Sequence, residues 1–285
     1  MSRPILRIAA FAPLAAAALL LGACSSGTGS AAPSESAAAD EGWVTDGKFT
    51  VATGEPAYYP WVIDDAPESG EGFESAVAYA VAAELGFAEE DVVWVRTTFD
   101  EAIAPGPKDF DVNLQQFSIT DERKESVDFS SPYYETTQVV ITTGSSPAAD
   151  ATSLADLKDL LIGAQVGTTS FTAIEQAIAP TQGAQAFNSN DDAKLALENG
   201  QVDAIVTDLP TAFYISGVEL TDGKLVGQLP AIEGQDADAF GLVLAKDSPL
   251  TDQVTAAVDA LREDGTLDDL ATEWLGGEGQ APLLQ

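Results

Sequence analysis

Histidine is absent from the 285 residues, and cysteine occurs once, at Cys24. The first absence removes Ser-His-Asp and Cys-His catalysis together with every imidazole metal site. The second removes any disulfide within the chain. Positive charge is nearly as scarce: 12 Lys and Arg stand against 46 Asp and Glu, for a formal net charge of -34. Such a field repels nucleic acid and anionic lipid surfaces, so neither is expected as a partner. Carboxylate-bound calcium survives these exclusions, but the acidic residues show no D-x-D-x-D-G-x5-E spacing, and no metal or cofactor is expected. Most of them read as solvated surface. An anion can then be held only by a local cation, and a guanidinium supplies the two-pronged geometry that fits a carboxylate. Arg123 lies amid hydroxyls in the run Asp111 to Tyr134, DVNLQQFSITDERKESVDFSSPYY, and is the first candidate ligand residue.

What is present at the N-terminus is an address. Arg3 and Arg7 precede an apolar stretch from Ile8 to Leu21, too short and too proline-interrupted to span a membrane. Leu21-Gly22-Ala23-Cys24 resembles the bacterial lipoprotein signal, in which the cysteine becomes the lipidated first residue. Residues 1–23 are therefore expected as a signal peptide, Cys24 as the lipidation site, and 24–42 as a flexible linker of small polar residues. The remaining length suits one large or two medium domains.

Strand-like runs alternate with amphipathic helices through the rest of the chain, which argues an α/β architecture with largely parallel sheets. Lys48 to Thr53 and Val92 to Val95 read as strands. Between them Phe73, Val77, Val81 and Leu85 recur at four-residue steps, the face of a helix packed on a sheet. A short helix is expected at Phe99 to Ile103, cut by Pro105-Gly106-Pro107, then an extended run at Phe110 to Leu114. Gln138 to Thr143 reads as a strand leading to a crossing between lobes at Gly144 to Pro147. A second unit follows, with a capped helix at Ser153, strands at Ile162 to Val166 and Ala204 to Thr207, and helices at Phe171 to Ala179 and from an Asn190 cap to Leu197. Phe240 to Ala245 is a return strand before helices at Thr251 to Arg262 and Thr266 to Trp274, and the tail after Gly276 is expected to fray.

Three polar segments follow strands, where open α/β sheets bind ligands: Glu55 to Trp61, Gln115 to Arg123, and Gly167 to Ser170. Asp208 ends a further strand. Thr168 and Thr169 precede a helix, an arrangement that serves either as an ordinary N-cap or as an anion site. Asp208 reads equally as a cap before Leu-Pro or as a partner for an ammonium.

With GEPAYYPW, GEGFESAVAYAVAAELGF, FDVNLQQFSITDERKESVDFSSPYY, VGTTS, VDAIVTDLPTAFY and LREDGTLDDLATEWLG in this order, the chain resembles the solute-binding proteins that feed polar amino acid ABC transporters. The resemblance implies a two-lobed, type II periplasmic-binding-protein-like α/β fold, each lobe a mainly parallel sheet flanked by helices. Lobe 1 would be built from 43–143 and 237–276, lobe 2 from 144–236, with 277–285 as a tail. It also implies that Arg123, helped by Ser118, Thr168 and Thr169, forks onto a ligand α-carboxylate, and that Asp208 takes the α-ammonium. Glu55 stands where relatives binding cationic amino acids carry an acidic residue, and Tyr58 and Trp61 where aromatics stack on the ligand. Gln115 and Gln116 replace the small residues usual before this serine, so they could read a polar side chain or simply narrow the pocket. The expectation is a monomeric, lipid-anchored binding component on the extracellular face of the cell membrane, capturing a polar or basic amino acid for an ABC permease without catalysis. The alternatives are an enzyme on the same fold, dehydratase-like, or a ligand-sensing receptor module.

Overall fold

The computed structural model describes residues 42–232, 237–276 and 281–285. The expected signal peptide, Cys24 and all of the linker but residue 42 lie outside them. The described residues form two five-stranded sheets, each with helices packed on it.

The first sheet contains β1 (Phe49–Gly54), β2 (Val92–Thr97), β3 (Val112–Asn113), β4 (Val127–Thr136) and β10 (Asp238–Ala245), in the order β2-β1-β3-β10-β4. Every residue of β1 is buried, as a central strand covered on both faces requires. One face carries α1 (Phe73–Glu84), α8 (Thr251–Glu263) and α9 (Thr266–Leu275). Phe73, Val77 and Val81 of α1 are fully buried there with Leu242 and Leu244, each worth about 2 kcal/mol of burial. The opposite face is closed by α2 (Phe99–Ile103), with Phe99, Ala102 and Phe117 against Ala52 and Val243.

The second sheet contains β5 (Gln138–Thr143), β6 (Ile162–Gln165), β7 (Gln185–Phe187), β8 (Ala204–Asp208) and β9 (Gly223–Gln228), in the order β7-β6-β8-β5-β9. The short helix α3 (Asp121–Lys124) sits on the first lobe. The second carries α4 (Leu154–Leu157), α5 (Thr169–Ala173), α6 (Asn190–Glu198) and α7 (Leu209–Tyr214). Ile162, Ile174, Val206 and Val226 belong to the core on one face, and Val139, Ile141, Ile205 and Ala212 to the core on the other.

Several expectations are corrected. The sheets are mixed rather than mainly parallel: β5 runs antiparallel to β8 and β9, and β10 runs antiparallel to β3 and β4. A strand that arrives straight from the other lobe enters without a crossover helix, and nothing then imposes a parallel direction. The crossing falls at Thr137, not at Gly144 to Pro147, because β4 completes the first sheet at Thr136 and Gln138 already pairs with Asp208 in the second. The return lies between Gln228 of β9 and Asp238 of β10. Strand β4 escapes the alternating pattern because Pro132 interrupts it, which its place at the sheet edge tolerates. The α6 cap is Ser189 rather than Asn190: its hydroxyl accepts the Asp192 N–H at 3.1 Å. Of the tail, residues 281–285 lie on the second lobe, where Leu284 is buried and its N–H donates to Gln228 O at 2.9 Å. An apolar side chain with a place to be buried holds a chain end that composition alone marks as loose.

Candidate ligand-binding cleft

A cleft is lined from the first lobe by Tyr58, Phe99, Gln115, Gln116, Ser118, Arg123 and Phe240, and from the second by Gln138, Gln165, Thr168, Thr169, Ser170, Asn190, Thr207 and Asp208. These residues lie at or just after the ends of β1, β2, β3, β6, β7 and β8 or flank the crossings, which is where open α/β sheets bind ligands.

Arg123 is held by α3, whose Thr120 cap accepts its N–H at 3.2 Å. Arg123 is 8% exposed as a residue; its guanidinium lies 5.3 Å from the centre of the Phe99 ring and donates to Ser118 O at 2.7 Å and to Gly167 O at 2.9 Å. It therefore touches both lobes. Burial lowers its pKa to about 10, so the charge persists at neutral pH. A second contact between the lobes joins the hydroxyls of Ser118 and Thr169 at 3.1 Å.

Asp208 ends β8 and caps α7: Oδ1 accepts the Thr211 N–H at 3.0 Å. The cap and the cleft-lining role are thus both realised in one side chain. Burial pushes its pKa up to about 6, against the opposing pull of the Thr211 N–H. Thr168 spends its hydroxyl locally, accepting from Phe171 N–H at 3.1 Å and donating to Gln165 O at 2.7 Å.

Behind the first-lobe wall lies Glu74, 1% exposed on α1. Gly72, at φ +99°, lets α1 start against the preceding loop, where the Glu74 N–H donates to Trp61 O at 2.9 Å; a Cβ on this glycine would stand 2.6 Å from the same oxygen. The Glu74 carboxylate accepts the Gln116 N–H at 2.7 Å, and also the Gln116 Nε2 amide and the Tyr133 hydroxyl. This grip holds Gln116 in the left-handed region at φ +51°, unusual for a residue with a side chain. Burial pushes the Glu74 pKa up to about 7, the three hydrogen bonds opposing the rise. Gln115 packs against Gly54, where a Cβ would come 2.7 Å from its Nε2.

Two expected residues lie elsewhere. Glu55 is exposed and outside the lining, on the loop after β1. Trp61 is fully buried among Phe73, Tyr134 and Phe240, and its indole N–H donates to Thr211 Oγ1 across the lobes at 2.9 Å, so it is core and interlobe contact rather than a stacking platform. The remaining expected residues, Tyr58, Gln115, Gln116, Ser118, Arg123, Thr168, Thr169 and Asp208, are brought together. Arg96 binds Asp65 at 2.6 Å and Gly54 O at 2.6 Å, which ties down the loop that carries Tyr58. Ser170, at the end of the polar segment Gly167 to Ser170, lines the cleft as well, and so do Phe99, Gln138, Gln165, Asn190, Thr207 and Phe240, which their sequence context does not single out. Phe99 was within reach of the strand-end rule, since Thr98 and Glu101 form a capping box immediately after β2.

The model of bacterial extracellular solute-binding proteins, family 3, matches residues 50–277. An L-arginine-binding protein of Pseudomonas aeruginosa is 30% identical over 227 residues, covering 74% of this chain and 82% of that protein. Among solved structures, an ancestral arginine-binding protein bound to glutamine superposes with a TM-score of 0.67 at 30% identity, covering 82% of this chain and all of that one. An ancestral amino acid-binding protein, a precursor of cyclohexadienyl dehydratase, gives 0.65 at 31% identity over 80% of this chain and 95% of that one.

Proposed function

Since this chain belongs to family 3 of the bacterial extracellular solute-binding proteins, we propose that it is the lipid-anchored receptor of an amino acid ABC transporter, holding a polar or basic amino acid between its lobes and handing it to a membrane permease. The observation that carries this reading is the pairing of one buried guanidinium, Arg123, with one buried carboxylate, Asp208, on opposite walls of a single cleft. A free α-amino acid carries the complementary pair of charges at its own backbone. Arg123 takes the carboxylate and Asp208 the ammonium, while Tyr58, Phe99, Gln115, Gln116 and Gln165 surround the side chain.

Binding of this kind works as a population shift. A ligand that touches both lobes is bound better by the closed arrangement, and its differential affinity is the driving force for closure. The bonds Ser118–Thr169 and Trp61–Thr211 join the lobes without a ligand's help, so part of the closed contact set is supplied by the protein. Cys24 would tether this unit through the 24–42 linker to the outer face of the membrane.

The test is a thermal-shift screen against the twenty amino acids, polyamines and small dicarboxylates. A ligand present at a thousand times its Kd stabilises the folded state by about 4 kcal/mol, a shift that registers whichever compound is responsible. At least one amino acid is expected to raise the melting temperature, and Arg123→Ala to abolish that rise. A shift with a non-amino-acid alone refutes the assignment of Arg123 and Asp208.

A further inference from the structure

Gln138 opens β5 immediately after the crossing and is 9% exposed. Its Nε2 donates to Asp238 Oδ2 on the return crossing at 2.6 Å and to Thr169 Oγ1 at 3.4 Å. A carboxylate only accepts, so the bond to Asp238 fixes which end of the amide is nitrogen. Both N–H directions are thereby used. The remaining atom, Oε1, is buried and has no donor among the described residues.

The ladder sets which side chain Gln138 stands beside. Gln138 stands directly opposite Asp208 in the antiparallel pair of β5 and β8, and directly paired residues project on the same face. Both line the cleft. Asp208 already spends Oδ1 on the Thr211 N–H and has the Thr207 hydroxyl 3.4 Å from Oδ2. A carboxylate with part of its capacity taken and an amide oxygen with none of its capacity taken are thus carried by neighbouring side chains of one cleft. Two acceptors in this setting call for a group that donates in more than one direction, which an ammonium does.

We propose that Gln138 is a ligand contact that completes the ammonium subsite, its Oε1 accepting one N–H of the ligand ammonium beside Asp208. The inference rests on the amino-acid reading above and extends it to the hinge. The same amide donates to Asp238, so an ammonium at Oε1 polarises it and strengthens the bond that joins the two crossings. Ligand capture and hinge geometry meet in one side chain.

The test is calorimetric titration of the purified protein with L-arginine and with L-glutamine, for the parent, Gln138→Met and Asp238→Ala. Gln138→Met is expected to weaken the tighter-binding of the two ligands by about tenfold or more, the loss typical of a hydrogen bond to a charged group. Asp238→Ala keeps Oε1 and is expected to lose clearly less. Equal losses in the two variants would reduce Gln138 to a hinge strut, and a Gln138→Met affinity within about twofold of the parent would remove the contact altogether. Should Gln138→Met fail to fold, the exchange Gln138→Glu with Asp238→Asn keeps an oxygen toward the ammonium and a hydrogen bond between the crossings. That exchange is expected to bind at least as tightly as the parent, and a tenfold loss in it would overturn the proposal. A parent that binds neither of these nor any other of the twenty amino acids sinks the amino-acid reading itself, a result distinct from the others.

Discussion

Replacing Glu74 by Gln should flatten the pH dependence of stability, and the size of the effect follows from the burial of this one carboxyl. Glu74 is 1% exposed, and its folded pKa is pushed from 4.5 up to about 7. The folded state therefore binds more protons than the unfolded state between those two values. Stability falls as pH rises through that window, and the loss is complete above it. A shift of this size corresponds to about 3 kcal/mol, present as a penalty above pH 7 and absent below about pH 4.5. A glutamine keeps an oxygen for the Gln116 N–H and the Tyr133 hydroxyl, and the Gln116 amide can turn to meet the new NH2. The assay is urea unfolding of parent and variant at pH 5, 6, 7 and 8. Parent stability minus variant stability should decline by an amount on the order of 2 to 3 kcal/mol from pH 5 to pH 8, because only the parent must ionise a buried group. A difference that stays constant with pH, or grows in the parent's favour, would show that Glu74 is not held above its ordinary range and that the grip on Gln116 is built otherwise.

Two further outcomes test the cleft itself. Asp208, with its pKa near 6 in the unliganded protein, must be ionised to pair with an ammonium; affinity should be level above pH 7 and fall by up to about tenfold per pH unit below 6, as titration at pH 5 and pH 7.5 would read. Glu55→Gln should leave affinity for any amino acid within about twofold, because an exposed charge outside the lining is screened by solvent; a loss of tenfold or more for arginine or lysine would return the role of cation reader to Glu55.

The legible part of this protein is local. The four-residue recurrence from Phe73 to Val81 gives α1 its buried face, and a single arginine among hydroxyls in a chain of net charge -34 singles out Arg123. Phe99 follows β2 as Gln115 follows β3 and Thr168 follows β6, so its place at a strand end is legible in the same way. Trp61 and Glu55 went the other way: a large aromatic and an acidic residue shortly after a strand can face core, cleft or solvent, and the loop path that decides this is set by Gly72, Arg96 and Asp65. Strand β4 was obscured by its proline, whose cost depends on whether the strand lies at an edge, which is a property of the sheet.

By itself the sequence determined which segments alternate between strand and helix, that imidazole chemistry is absent, and that one guanidinium and one carboxylate were candidates for the two ends of a zwitterion. Hydrophobic period and residue chemistry act over a few residues, so they are written in order along the chain. Tertiary structure alone decided that the lobes part at Thr137, that the sheets are mixed, and that Gln138 stands beside Asp208 while reaching Asp238, 100 residues further along the chain. Such pairings depend on which strands become neighbours, and long-range contacts of that kind leave no periodic trace in either partner's sequence.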